Sequence, residues 1–186
     1  MKRLFDLVLV LVAATTLLFP ILVVALLVWL TSKGPVIYWS DRVGRNNTIF
    51  KMPKFRSMKL GTPIVATHLL ANPNAHLTPI GPFLRKSSLD ELPQLWSILI
   101  GNMSFVGPRP ALFNQHDLIC LRTQKNVHTL LPGLTGWAQV NGRDEHSISQ
   151  KVAFDAEYLE RQGFWFDNKI LWLTCLKVFQ RAGVSH

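Results

Sequence analysis

Between Leu7 and Ser32 the chain runs 26 residues without a charge, nearly all of them aliphatic. A run longer than ~18 apolar residues nominates a membrane segment. Two features argue against a plain spanning helix. Pro20 lies near the middle, where it removes a backbone hydrogen bond and bends a helix. Lys2 and Arg3 precede the run and Lys33, Arg42 and Arg45 follow it, so both ends carry the positive charge expected of a cytoplasmic side. The pattern therefore fits either a spanning helix or a re-entrant one that turns at Phe19-Pro20 and leaves on the side it entered. It is too long for a cleavable signal, and no small-residue cleavage site follows.

Beyond the run the periodicity changes. Val36 to Trp39 and Thr48 to Phe50 are short β-prone stretches around Gly44 and two asparagines, which predicts a small hairpin. Lys51 to Lys59 (KMPKFRSMK) reads as a loop in which Lys51, Lys54, Arg56 and Lys59 either lie against anionic headgroups or hold a phosphate. Residues 60–82, rich in Gly, Pro, Asn, Thr and Ala, read as a further loop. Leu89, Leu92, Trp96 and Leu99 are spaced 3, 4 and 3 apart, one stripe of a helix, with Asp90 and Glu91 at its edge. Pro93 is comfortable only in a first turn, which favours Asp90 as N-cap. Ser88 in that role would form a capping box with Glu91 but lose a bond at Pro93. Gly101 then closes the helix.

Leu112 to Lys125 and Lys151 to Arg161 also read as helices. Asp167 to Arg181 is apolar around a strip of Thr174, Lys177 and Arg181, with Trp165 and Trp172 nearby, and suits either a core helix or one lying in a membrane interface. The expected fold is α+β and mainly helical, with an N-terminal re-entrant membrane helix, a small β-hairpin and amphipathic interfacial helices. Residues 1–33 form the membrane part and 34–186 a catalytic domain.

Charge sharpens this picture. Of the net +9, all lies in residues 1–86, which hold eleven Lys/Arg against Asp6 and Asp41; residues 87–186 hold nine of each sign. A basic surface beside an apolar segment points to anionic partners such as lipid headgroups or a phosphorylated ligand. Cys120 and Cys175 make no paired spacing, and the six histidines form no ligand motif, which argues against a zinc site or a disulfide scaffold.

The candidate chemistry sits in Ser87 to Pro110. Asp90 and Glu91 open an apolar segment that ends on Arg109 between two prolines, which restrict its backbone on both sides. Arg85 and Lys86 arrive just before the acids, and Arg143 follows the Asn141-Gly142 turn. Gly133, Gly136 and Gly142 mark tight turns. The bland reading makes the acids helix caps and Arg143 a surface partner of Asp144 or Glu145. The sharper one has carboxylates that attack phosphorus or bind Mg²⁺, and arginines that clamp phosphate oxygens.

The ordered motifs KFRSM, SLDELPQLWSILIGNMSFVGPRP and PGLTGWAQVNGR, behind an apolar segment with a central proline, resemble the bacterial sugar transferase family, the monotopic phosphoglycosyl transferases, over nearly the whole chain. It looks like the minimal catalytic form, without the additional N-terminal membrane helices of larger relatives. The resemblance implies transfer of a sugar-1-phosphate from a UDP-sugar to undecaprenyl phosphate at the cytoplasmic face of the bacterial inner membrane, with release of UMP. It implies Asp90 as a nucleophile that also binds Mg²⁺, Glu91 as its catalytic partner, and Arg85, Arg109 and Arg143 on substrate phosphates. One departure is Phe19 before Pro20, where the family carries serine; Thr15 and Thr16 are the hydroxyls at hand to replace it. Nucleic acid is not an expected partner, because the basic half lacks an aromatic-basic recognition motif. The alternatives are a nucleotide-sugar glycosyltransferase, which would lack a DxD motif here, and a non-catalytic membrane scaffold protein. Sugar identity is left open, as is the oligomeric state, with a homodimer among the choices.

Overall fold

The computed structural model describes residues 2–65, 72–142 and 146–183, the last five of these by backbone alone. Its apolar N-terminus is two helices, α1 (Lys2–Thr16) and α2 (Leu18–Thr31), bent by 62°. No single described helix is long and apolar enough to cross a membrane, whereas the bent pair together has the length and composition. The break falls at Leu17, not at Phe19-Pro20 as the sequence suggested, and Pro20 is the third residue of α2. A helical proline ring collides with the carbonyl four residues earlier and offers it no N–H, so the disruption lands on Thr16. The hydroxyls of Thr15 and Thr16 donate back to the carbonyls of Leu11, Val12 and Ala13 rather than replacing the lost bond.

Much of this pair is uncovered: Leu4, Leu11, Phe19, Leu22, Leu26 and Trp29 are exposed. Its inner face is not. Val10 joins a core with Ile98, Met103, Tyr158 and Ile170, and Val24 and Val28 pack with Phe55 and Leu84. The first turns of α1 are tied down by polar contacts. The buried Asp6 carboxylate accepts from Ser104 Oγ and the Phe105 N–H, each at 3.1 Å, and Arg3 donates to the carbonyls of Ile98 and Leu99 at 2.6 and 2.7 Å.

The hairpin is longer than predicted. β1 (Ile37–Val43) pairs antiparallel with β2 (Ile49–Phe55), in register from Ile37↔Phe55 to Val43↔Ile49. The first half of KMPKFRSMK is therefore strand rather than loop, with Met52 and Phe55 buried in the core. After α3 (Gly81–Ser87), Ser88 takes a left-handed conformation, residues 89–91 form a 3₁₀ turn, and α4 (Gln94–Ile100) begins only after Pro93. Asp90 is thus not an N-cap, and the expected stripe fails. Leu95 and Ile98 face the core, while Trp96 and Leu99 lie outside, because the 3₁₀ turn resets the phase that was extrapolated from Leu89 and Leu92.

β3 (Ser104–Val106) and β4 (Ala111–Leu112) follow, β4 completing a sheet of order β2-β1-β4. Next come α5 (His116–Gln124), β5 (Gly133–Thr135), α6 (Trp137–Asn141), α7 (Ile148–Arg161) and α8 (Phe164–Gly183). β3 and β5 pair in parallel. Gly133 and Gly136 are not turn residues as their sequence context suggested. A Cβ on either would overlap the backbone of Gly107, so they allow two main chains to touch. Gly142 does take positive φ and ends α6. α8 buries Ile170 and leaves Trp165 and Trp172 exposed, so it is a core helix on one face and apolar surface on the other.

Candidate active site

Three separate segments meet at the acidic pair. The 3₁₀ turn supplies Asp90 and Glu91, strand β2 supplies Lys54, and the loop after β3 supplies Arg109. Glu91 Oε1 accepts from Lys54 Nζ at 2.9 Å and from Arg109 Nη2 at 2.7 Å. Asp90, 8% exposed, lies beside them in no described ion pair.

Adjacent in sequence, the two carboxyls are driven apart in acidity. Burial raises the Asp90 pKa and the Glu91 charge raises it further, against the pull of Lys54, Arg85 and Arg109. Burial acts on Glu91 in the same sense, but Arg109 and Lys54, each by charge and by hydrogen bond, hold it well below the ordinary carboxylate range. Two cations on one buried anion are enough to reverse the desolvation penalty. Lys54 is lowered by its own burial and partly restored by Glu91. The result is one carboxylate fixed as an anion by its partners and a second, more basic one whose oxygens make no side-chain hydrogen bond or ion pair among the described residues, the division of labour that pairs of active-site acids require.

The loop carrying Arg109 is held from behind by main-chain and side-chain bonds. Gly107 N donates to Thr135 O, and Gly133 N donates to Pro108 O, both at 2.9 Å. Arg122 Nη1 donates to the Arg109 carbonyl at 2.8 Å, while its Nε and Nη2 grip Asp155 Oδ2 at 2.9 and 2.7 Å. Arg42, its pKa pushed down to about 10 by burial and by the Arg109 charge, donates to the Pro110 carbonyl at 3.2 Å. The Arg109 guanidinium is thus aimed by a backbone bonded at every residue from Gly107 to Pro110.

This arrangement, on this order of motifs, has relatives. Residues 1–181 match the family described as bacterial sugar transferase. The chain belongs to that family. It is 42% identical over 84% of its length to UDP-glucose:undecaprenyl-phosphate glucose-1-phosphate transferase of Escherichia coli, and 35% identical over 98% to undecaprenyl-phosphate galactose phosphotransferase of Salmonella typhimurium. It spans 35% and 41% of those two proteins. Along its whole length it is 38% identical to the uncharacterized sugar transferase EpsL of Bacillus subtilis, covering 90% of that protein.

Of the residues nominated from the sequence, Asp90, Glu91 and Arg109 come together. Arg85, in the last turn of α3, is near enough for its charge to lower the Asp90 pKa. Arg143, with Asp144 and Glu145, lies outside the described residues. Pro20 lies in the apolar helix pair. Sequence reasoning did not single out Lys54 from its basic run, nor Arg42, Arg122 or Asp155.

Proposed function

We propose that this chain transfers a sugar-1-phosphate from a UDP-sugar to undecaprenyl phosphate in two steps. The observation that carries the reading is the polarised pair, an Asp90 of raised pKa, unpaired among the described residues, beside a Glu91 clamped by Lys54 and Arg109; the activities of the two named relatives supply the substrate class. In the first step an Asp90 oxygen attacks the phosphorus bonded to the sugar, a P–O–P bond breaks, and UMP leaves with the electron pair. In the second, an oxygen of the lipid phosphate attacks the same phosphorus and Asp90 departs as carboxylate, giving the undecaprenyl-diphosphate sugar. Arg109 and Arg85 bear on the charge that builds on the phosphoryl oxygens, and Lys54 keeps Glu91 ionised beside them.

A Mg²⁺ ion fits this donor set. Among the described residues no group of three His, Cys, Asp or Glu could enclose a metal, and Mg²⁺ commonly takes one or two carboxylates and completes its shell with substrate phosphates. Asp90 would hold it through the oxygen not used in attack, and the ion would supply charge neutralisation on the diphosphate.

The bent pair α1–α2 enters a leaflet of the bacterial inner membrane and returns, leaving residues 34–186 on the cytoplasmic face as the catalytic part. The exposed apolar side of the pair and its cations at both ends support that arrangement. The test of the chemistry is a half-reaction. Protein given UDP-sugar and Mg²⁺ without lipid acceptor should release about one equivalent of UMP and keep the sugar phosphate as an adduct that peptide mapping places on Asp90. An adduct on Glu91, or full turnover with no adduct, would overturn the assignment.

A further inference from the structure

The active site accounts for only part of the basic run in β2. Lys51 pairs with Asp41 at 2.9 Å, Lys54 with Glu91, and Lys59 Nζ donates to the Ala75 carbonyl at 2.9 Å. Among the described residues Arg56 makes no ion pair and one long side-chain hydrogen bond. It is 4% exposed, one residue past the end of β2, where α2 gives way to irregular chain. Its Nη2 reaches the Ser32 carbonyl at a long 3.4 Å; its Nε and Nη1 are enclosed with no hydrogen-bond partner, and so is the hydroxyl of Ser32. Among the described residues no carboxylate forms an ion pair with it. The backbone at Gly34, with φ of +105°, lies so close that a Cβ there would overlap Nη1.

A guanidinium carries a delocalised charge and five N–H donors, so this is a buried cation with donors to satisfy. Buried charges in folded proteins are paired, and buried donors are satisfied. The carbonyl end of α2 answers one nitrogen. Two nitrogens and a hydroxyl remain, all donors of the kind that phosphoryl oxygens accept from. Its place narrows the source of that phosphate. It stands at the exit of the apolar pair, bonded to Ser32 just after the exposed Trp29 and Leu30, and two residues along the chain from Lys54, about 7 Å at the rise of an extended chain.

We propose that Arg56 and Ser32 hold the phosphate group of a membrane lipid where α2 leaves the leaflet; this rests on the reading of α1–α2 as membrane-embedded. The shared chemistry has two sources, the phosphomonoester of a polyprenyl acceptor and the phosphodiester of a bilayer phospholipid. In detergent solution the full chain, without nucleotide sugar, is titrated calorimetrically with farnesyl phosphate and with dihexanoyl phosphatidylglycerol. Arg56→Gln should weaken at least one of them about tenfold or more, and Ser32→Ala by a smaller factor. Loss for farnesyl phosphate alone assigns the site to the acceptor; loss for the phospholipid, alone or with it, assigns a headgroup. Circular dichroism reports whether the variants fold. If Arg56→Gln does not, Arg56→Lys decides, since it keeps the charge and loses the fork and should still bind more weakly. Wild-type protein that binds neither lipid, or folded variants that bind both as the wild type does, overturns the proposal. The half-reaction with UDP-sugar is run separately on the wild type, so that its failure alongside intact lipid binding would sink the catalytic reading and leave this one standing.

Discussion

Two buried carboxylate–arginine clusters flank the loop Gly107 to Pro110, and they behave oppositely. In front, Glu91 is hydrogen-bonded by Arg109 and Lys54 and is held far on the acidic side; behind, Asp155 is hydrogen-bonded by Arg122, with only a weaker charge pull from Lys151, and burial raises its pKa despite both. The geometry of the individual contacts is alike, 2.7 Å from guanidinium to carboxylate in both. A second cation at hydrogen-bond distance makes the difference. One arginine at hydrogen-bond distance does not offset the loss of water around a buried carboxylate, whereas an arginine and a lysine together do. The rear cluster therefore serves as a brace, spending its third nitrogen on the Arg109 carbonyl, and the front one as a polarised site.

The sharpest separation comes from Asp90, which belongs to the front cluster but takes no part in its ion pairs. Asp90→Asn should lower turnover on the order of 10⁴-fold or more, because it removes the attacking oxygen. It should leave the melting temperature at neutral pH unchanged or higher, since a buried carboxylate with a raised pKa is a cost in its ionised form. Activity assay and thermal melt on the same preparation check both. A variant that loses stability and keeps turnover would make Asp90 structural, like Asp155.

Next in size is the brace. Arg122→Ala leaves Asp155, 2% exposed, without its partner and should cost about 3–5 kcal/mol of stability by denaturant unfolding. Turnover of the fraction that remains folded should fall less than in Asp90→Asn. A stability change below about 1 kcal/mol would show that the rear pair is screened by solvent as a surface pair is.

Lys54→Met sharpens the comparison from the other side by leaving Glu91 a single hydrogen-bonded cation, as Asp155 has in Arg122. Glu91 should lose its depressed pKa, and Asp90 should lose a charge that now lowers its own. The acid limb of the pH–rate profile should move to higher pH, with turnover down about 10- to 100-fold at neutral pH. An unmoved limb would mean that Arg109 alone sets the acidity of the pair.

These clusters also mark what could be read from the chain beforehand. Asp90, Glu91 and Arg109 lie within twenty residues of one another, and adjacent acids and an arginine between prolines are visible in one dimension. Lys54 lies 37 residues before Glu91 and Asp155 lies 33 after Arg122, and nothing local records those pairings. The α4 stripe misled for a different reason. Pro93 separates a 3₁₀ turn from an α-helix, so two periods were read as one, and apolar Trp96 and Leu99 were assigned to a core they do not enter. Gly133 and Gly136 look like turn glycines in sequence, and only the backbone of Gly107 against them shows that space is what they provide.

The smallest effect tests the sign of the two shifts directly. Glu91, with its folded pKa below the ordinary 4.5, contributes stability that is present above that value and lost as pH falls through the folded pKa. Asp155, with its folded pKa above the ordinary 3.8, contributes stability that is present below that value and lost as pH rises through the folded pKa. Stability is therefore measured against pH for wild type, Glu91→Gln and Asp155→Asn, and each variant is subtracted from wild type. The Glu91 difference should grow as pH rises toward 4.5, and the Asp155 difference should shrink as pH rises above 3.8. What matters is the slope of each difference, not its offset, because either substitution also removes hydrogen bonds whose loss is nearly independent of pH. Two slopes of the same sign would mean that Arg122 matches the combined pull of Arg109 and Lys54, and that the number of cations around each carboxylate does not separate the front of the loop from its back.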